Sequence, residues 1–218
     1  MEKSKNTDCW YQEVCDEDCT NCFKYKTMKW QFDNCGLPKA KYKTIKLIPQ
    51  QADRETFKHL AEIRKNILDF VDSGKNLYIC GNNPGSGKTS WAIKMLQTYF
   101  HYKAETNMWN LKGMFVSVPT YLLSAKDFNN PMSNEYKKNL RNVDLLILDD
   151  IAVTGISEYD YLQLFTLIDE RMMAEKSIIF TSNVTNVNTL VKSVGDRLAS
   201  RIWNNSEVIE IKGGDMRG

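Results

Sequence analysis

Residues 76–90, NLYICGNNPGSGKTS, constrain this chain more than any other stretch. Asn76 to Cys80 is a short apolar run suited to a buried parallel strand. Gly81 to Gly87 is a turn rich in small residues, and Lys88, Thr89 and Ser90 open a run with Trp91, Ala92, Met95, Leu96 and Tyr99 on one helical face. Strand, glycine-rich turn, then helix is the setting a phosphate-binding loop requires. Small residues let backbone N–H groups converge on phosphate oxygens, and the helix N-terminus adds partial positive charge. Gly81, Asn82, Asn83, Pro84, Gly85, Ser86, Gly87, Lys88, Thr89 and Ser90 are therefore the candidate nucleoside triphosphate site. Lys88 reaches the β- and γ-phosphates in such a loop, and the Thr89 hydroxyl holds Mg²⁺. The usual pattern has a glycine where this chain has Asn82; its glycine, Gly81, stands one residue earlier. Asparagine tolerates left-handed backbone better than most residues, so Asn82 and Asn83 can still support the turn.

Val143 to Asp150, VDLLILDD, is the second strong signal. Apolar residues run without a break into two carboxylates, as in a central parallel strand whose C-terminal end faces a ligand. Asp149 suits the Mg²⁺ shell, directly or through water, and Asp150 suits orienting or deprotonating the attacking water. Ser177 to Ser182 is another buried strand, and Asn183 at its tip can hydrogen-bond that water or the γ-phosphate. Strands at 76–80, 113–118, 143–149, 177–182 and 206–211 predict an α/β fold, a parallel five-stranded sheet between helices. Asp53 reads as the N-cap of a helix running to Gly74, and Ser157 as the cap of a helix carrying Leu164, Phe165 and Ile168. Residues 186–204 read as helical, with Arg197 and Arg201 four apart on one face.

Five of the six cysteines fall in the first 35 residues. Cys9, Cys15, Cys19 and Cys22 lie close enough to wrap one tetrahedral Zn²⁺, with Cys35 outside that set; so short a segment cannot fold on apolar burial alone. An iron–sulfur cluster and free thiols are the competing readings of the same spacing. The expected organisation is a cysteine-rich zinc-binding head at 1–36, a linker at 37–52 and a nucleoside triphosphatase domain at 53–218. A formal charge of +2 declares no bulk affinity for nucleic acid. Lys126, Lys137, Lys138 and Arg141, within 119–142, form either a local track for single-stranded DNA or a solvated helix face. No apolar run approaches a membrane span and the N-terminus is polar, which predicts a cytoplasmic protein with no membrane partner.

In order along the chain, GNNPGSGKT, LLILDDI, IIFTSN, and GDRLASRIW followed by GGDMR resemble the AAA+ ATPases of the DnaC type. These are bacterial and phage replicative helicase loaders, related to the IstB transposition ATPases. The resemblance covers about residues 37–218, and SWAIKM together with the cysteine-rich head is most similar to phage-encoded members, whose compartment is the bacterial host cytoplasm. It implies an AAA+ core, ATP and ADP as ligands, a replicative helicase and single-stranded DNA as partners, and a ring or spiral of subunits sharing ATP sites. By position it implies sensor 1 at Asn183, the arginine finger at Arg201 with Arg197 as the alternative, and the sensor 2 arginine at Arg217. Many AAA+ enzymes carry Asp-Glu where this chain has Asp149-Asp150; the shorter second carboxylate predicts slow hydrolysis. The helical lid common in AAA+ proteins is not expected after residue 218. Alternatives are an IstB-like transposition ATPase, a non-hydrolysing adaptor that sequesters a host helicase or its loader, and a small-molecule kinase.

Overall fold

The computed structural model describes residues 22–37, 45, 47, 48, 50–104, 110–125 and 134–215. Five strands form one parallel sheet: β1 (Asn76–Cys80), β2 (Gly113–Ser117), β3 (Leu145–Asp149), β4 (Ser177–Ser182) and β5 (Ser206–Glu210). Their order across the sheet is β2-β3-β4-β1-β5. From β1 the chain crosses to the far edge at β2 and returns through β3 and β4 to lie beside β1. The strand order therefore reverses between β1 and β4, which is where open α/β sheets bind ligands, beyond the carboxyl ends of their strands.

Alternate residues supply two cores, as the two-residue period of a strand requires. Leu77, Ile79, Leu145, Ile147 and Ile179 face α1 (Phe23–Asn34), α2 (Arg54–Lys65), α3 (Ile67–Asp72) and α4 (Lys88–Lys103). Tyr78, Cys80, Leu146, Leu148 and Phe180 face the other layer, α5 (Val118–Ala125), α6 (Asn134–Asn142), α7 (Glu158–Met173), α8 (Val187–Val194) and α9 (Asp196–Asn204). The expected parallel α/β sheet is present, with small shifts in its boundaries. Strand β3 begins at Leu145 rather than Val143, because the carbonyls of Val143 and Asp144 accept from Arg171. Val118 leaves β2 to open α5, with Pro119 in the first helical turn, where a missing N–H costs nothing.

Several expectations about helices change. The helix from Asp53 to Gly74 is two helices, broken at Asn66 (φ −102°, ψ 30°). Asp53 precedes the first of these but makes no side-chain cap; its carboxylate accepts from the N–H groups of Lys212 and Gly213, both at 2.7 Å. Ser157 does cap α7, in a reciprocal capping box with Asp160. The run 186–204 is split by Gly195, whose φ of 84° no helix continues.

The expected head at 1–36 lies mostly outside the described residues, and its described part, 22–36, includes α1. Helix α1 packs onto the sheet domain, burying Met28, Phe32 and Cys35. Phe32 meets Phe100 edge to face at 5.3 Å. Gln31 pairs with the Asn110 carbonyl and the Lys112 N–H, and the Cys35 carbonyl accepts from Phe115 N–H at 2.7 Å. The cause is the open edge of β2, whose outward N–H needs a partner that this turn supplies. Burial pushes the Cys35 thiol up to about 11, and it donates to the Phe32 carbonyl. Cys9, Cys15 and Cys19 lie outside the described residues; Cys22 is half-buried at the N-cap of α1. Among the described residues there is no cluster of metal-ligating side chains, and no helix is long and apolar enough to cross a membrane.

Candidate nucleotide site

The loop Gly81–Gly87 joins β1 to α4 at the point where strand order reverses. Its left-handed residues are Gly85 (φ 72°) and Gly87 (φ 102°), the latter forming the N-cap of α4. The two asparagines contribute by side chain instead of by left-handed backbone. Asn83 Nδ2 donates to the carbonyls of Lys212 (3.3 Å) and Gly213 (2.9 Å), and the Thr185 hydroxyl donates to Asn82 Oδ1 at 3.4 Å. Gly81 is required for a separate reason. A Cβ there would lie 2.3 Å from the Ile211 carbonyl oxygen, because the chain leaving β5 passes directly over it. The Lys88 ammonium is buried and donates to the carbonyls of Gly81 and Asn83, each at 2.9 Å, and to Ser86 Oγ at 3.2 Å.

Below the loop, two threonines converge on one carboxylate oxygen. Asp149 Oδ1 accepts from Thr89 Oγ1 at 2.8 Å and from Thr181 Oγ1 at 2.6 Å. The pairing follows from register. Leu148 lies opposite Phe180, so Asp149 and Thr181 sit side by side at the ends of β3 and β4, on the face covered by α4. A hydroxyl and a carboxylate at this spacing are the hard oxygen donors that Mg²⁺ takes, so Thr89 and Asp149 fit the ion. Asp150 follows with φ 56°, exposed, its N–H donating to Thr181 Oγ1 at 3.1 Å. Asn183 is exposed immediately beyond β4, whose last residue, Ser182, lies opposite Cys80 at the start of the loop. The Cys80 thiol is pushed up to about 11 by burial and then by Glu210, so it stays protonated.

The structure thus gathers Gly81–Ser90, Asp149, Asp150 and Asn183 at the carboxyl edge of the sheet. Arg197 and Arg201 lie elsewhere, on α9. Arg201, on α9, pairs with Asp169 at 2.7 Å and lies over the Phe165 ring at 5.0 Å. Arg197, Asp196 and Ser200 join it around an open cleft of about 520 Å³. Arg217 lies outside the described residues. Two residues near the site escaped sequence reasoning. Thr181 is a polar residue inside a buried apolar strand, which was the available signal. Asp53 carried none, since its local pattern is that of any helix cap.

A family model described as IstB-like ATP binding protein matches residues 41–218. The replicative helicase loader DnaC of Escherichia coli strain K12 is 27% identical over 150 residues, 66% of this chain and 54% of the relative. The chain thus spans about half the length of the curated relatives it matches. Among solved structures, the DnaC helicase loader has a TM-score of 0.64 at 21% identity, covering 77% of this chain and 94% of the other. DnaI has a TM-score of 0.62 at 23% identity, covering 83% and 94%. These last two likenesses are of fold, whereas the family match spans the phosphate loop, both carboxylates and the strand between them and β5; this chain belongs to the IstB/DnaC family of AAA+ ATP-binding proteins.

Proposed function

We propose that the chain is an ATPase that loads a hexameric replicative helicase onto single-stranded DNA. One juxtaposition carries the reading: the Lys88 loop stands over the Thr89–Asp149 pair at the sheet's reversal point, in a chain related to a replicative helicase loader. ATP phosphates would lie against the loop amides and the Lys88 ammonium. Thr89 and Asp149 would hold Mg²⁺, which would supply charge neutralisation to the phosphates. Asp150 orients or deprotonates the attacking water, and Asn183 hydrogen-bonds it or the γ-phosphate. Arg201 acts on the phosphates of a neighbouring subunit in a ring or spiral, with Arg197 as the alternative finger and Arg217 as the sensor 2 arginine. The open cleft on α9 supports this role, since both arginines line it, Arg197 exposed and Arg201 partly so. Asp150 is one methylene shorter than Glu, which suits a slow, timed hydrolysis.

The cysteine-rich segment, with Zn²⁺ held by Cys9, Cys15, Cys19 and Cys22, would grip the helicase. The exposed Lys137 and Lys138 on α6 are candidates for DNA contact, whereas Arg141 is engaged with Glu170 at 2.6 Å. A transposition ATPase is the second reading, favoured by the description of the matching family. The test is native mass and ATP turnover, with and without the replicative helicase and single-stranded DNA. The loader reading expects nucleotide-dependent assembly with the helicase, one zinc per chain, and DNA-modulated turnover lost in Arg201→Ala. Helicase binding indifferent to ATP and DNA would favour a sequestering adaptor, and absence of helicase binding would favour transposition.

A further inference from the structure

We infer that Thr181 is the positioning residue of this site, its one hydroxyl fixing both the Asp149 carboxylate and the backbone of Asp150. Thr181 is fully buried near the end of β4. The bond directions follow without ambiguity. Asp150 N–H can only donate, so at 3.1 Å it uses a lone pair of Thr181 Oγ1. The single hydroxyl hydrogen is then committed to Asp149 Oδ1 at 2.6 Å, the oxygen that also accepts from Thr89. The Thr181 carbonyl adds a third bond, accepting from Ile151 N–H at 3.0 Å. Residue 181 therefore ties down 149, 150 and 151 in succession.

That clamp matters because Asp150 has φ 56°, a conformation uncommon outside glycine. N–H groups on both sides of its Cα, those of Asp150 and Ile151, are held by Thr181, so the exposed carboxylate projects from a fixed backbone. The main-chain bond from Ile151 survives any substitution at 181, whereas the two hydroxyl bonds do not. Loss of the hydroxyl removes one of the two hydroxyl donors on Asp149 Oδ1 and takes the side-chain acceptor away from the Asp150 N–H. A purely structural threonine would need only the methyl and the volume.

This inference rests on the reading of the site as one for Mg²⁺-nucleotide. The experiment measures binding of fluorescent mant-ADP to the full chain, in EDTA and over a Mg²⁺ titration, for wild type, Thr181→Ser, Thr181→Val and Thr181→Cys. In EDTA all four should bind alike. With Mg²⁺, wild type and Thr181→Ser should tighten equally, while Thr181→Val should lose about tenfold of that gain, the scale of one charge-assisted hydrogen bond. Thr181→Cys, near the same volume with a weak donor, should fall between, and replaces the valine variant if circular dichroism shows that one unfolded. A wild-type Mg²⁺ response in Thr181→Val or Thr181→Cys would overturn the inference, as would an equal loss in Thr181→Ser. Wild type that binds Mg²⁺-nucleotide without turning over ATP would contradict the ATPase reading, while the Mg²⁺ response still decides the role of Thr181.

Discussion

Asn82 stands where a phosphate loop usually begins with glycine, and the structure separates two jobs that one glycine often combines. Left-handed backbone is supplied later in the loop, by Gly85 and Gly87. Close approach is supplied earlier, at Gly81, under the Ile211 carbonyl. Asn83 is then free to use its amide on Lys212 and Gly213, stitching the loop to the chain after β5. Asp53 and Gln50 bind the same stretch, Asp53 through the N–H groups of Lys212 and Gly213 and Gln50 through both Gly214 main-chain groups. Gly81→Ala would force the β5 end away, an overpacking cost of about 1–3 kcal/mol. The expected result is a lower urea midpoint and weaker nucleotide binding; an unchanged midpoint would contradict the close approach. The departure at Asn82 is visible in the sequence, but its remedy is not, because the Asn83 partner lies 130 residues away.

At the scale of elements, the starts of β3 and β4 meet around two charged groups at the sheet end opposite the phosphate loop. Arg171 of α7 is fully buried, donating to the carbonyls of Leu140, Arg141, Val143, Asp144 and Ser177, and so joins the end of α6 to the starts of β3 and β4. Burial pulls its guanidinium down to about 9, which leaves it charged at neutral pH. Asp144, just before β3, takes Lys176 at 2.7 Å, Lys112 at 3.8 Å and the Tyr99 hydroxyl at 3.2 Å. Burial opposes its charge, but the Lys176 bond and charge, with Lys112 and Tyr99, hold its carboxyl below the usual value. A folded value below the unfolded one gives stability that is present above the unfolded pKa and is lost as pH falls through the folded one. Asp144→Asn should therefore melt at lower temperature than wild type at neutral pH, with the gap closing below about pH 4. A gap independent of pH would contradict the charge argument. Strand positions were legible because buried parallel strands read as unbroken apolar runs such as LLIL and SIIF. Helix interruptions at Asn66 and Gly195 were not, since apolar spacing continues across both.

For the whole molecule, the family and the grouping of the candidate site's residues were legible because each motif is contiguous and chemically demanding. The strand order, the attachment of α1 to the β2 edge and the Asp53–Gly213 tie were not, because each depends on segments that meet only after folding. The same limit applies to the arginines. Motif order points to Arg201 as a finger, and the fold holds it against Asp169 and Phe165, on a helix separate from its own phosphate loop. The central claim is that one subunit supplies the loop and Asp150 while its neighbour supplies Arg201. Mixing Asp150→Asn subunits with Arg201→Ala subunits tests it most directly, by ATP turnover of the mixture under assembling conditions. Each variant alone should be nearly inactive, and the mixture should regain turnover, because some interfaces then pair an intact Asp150 with an intact Arg201. A mixture as inactive as its components, or an Arg201→Ala variant that turns over ATP like wild type, would contradict a shared site.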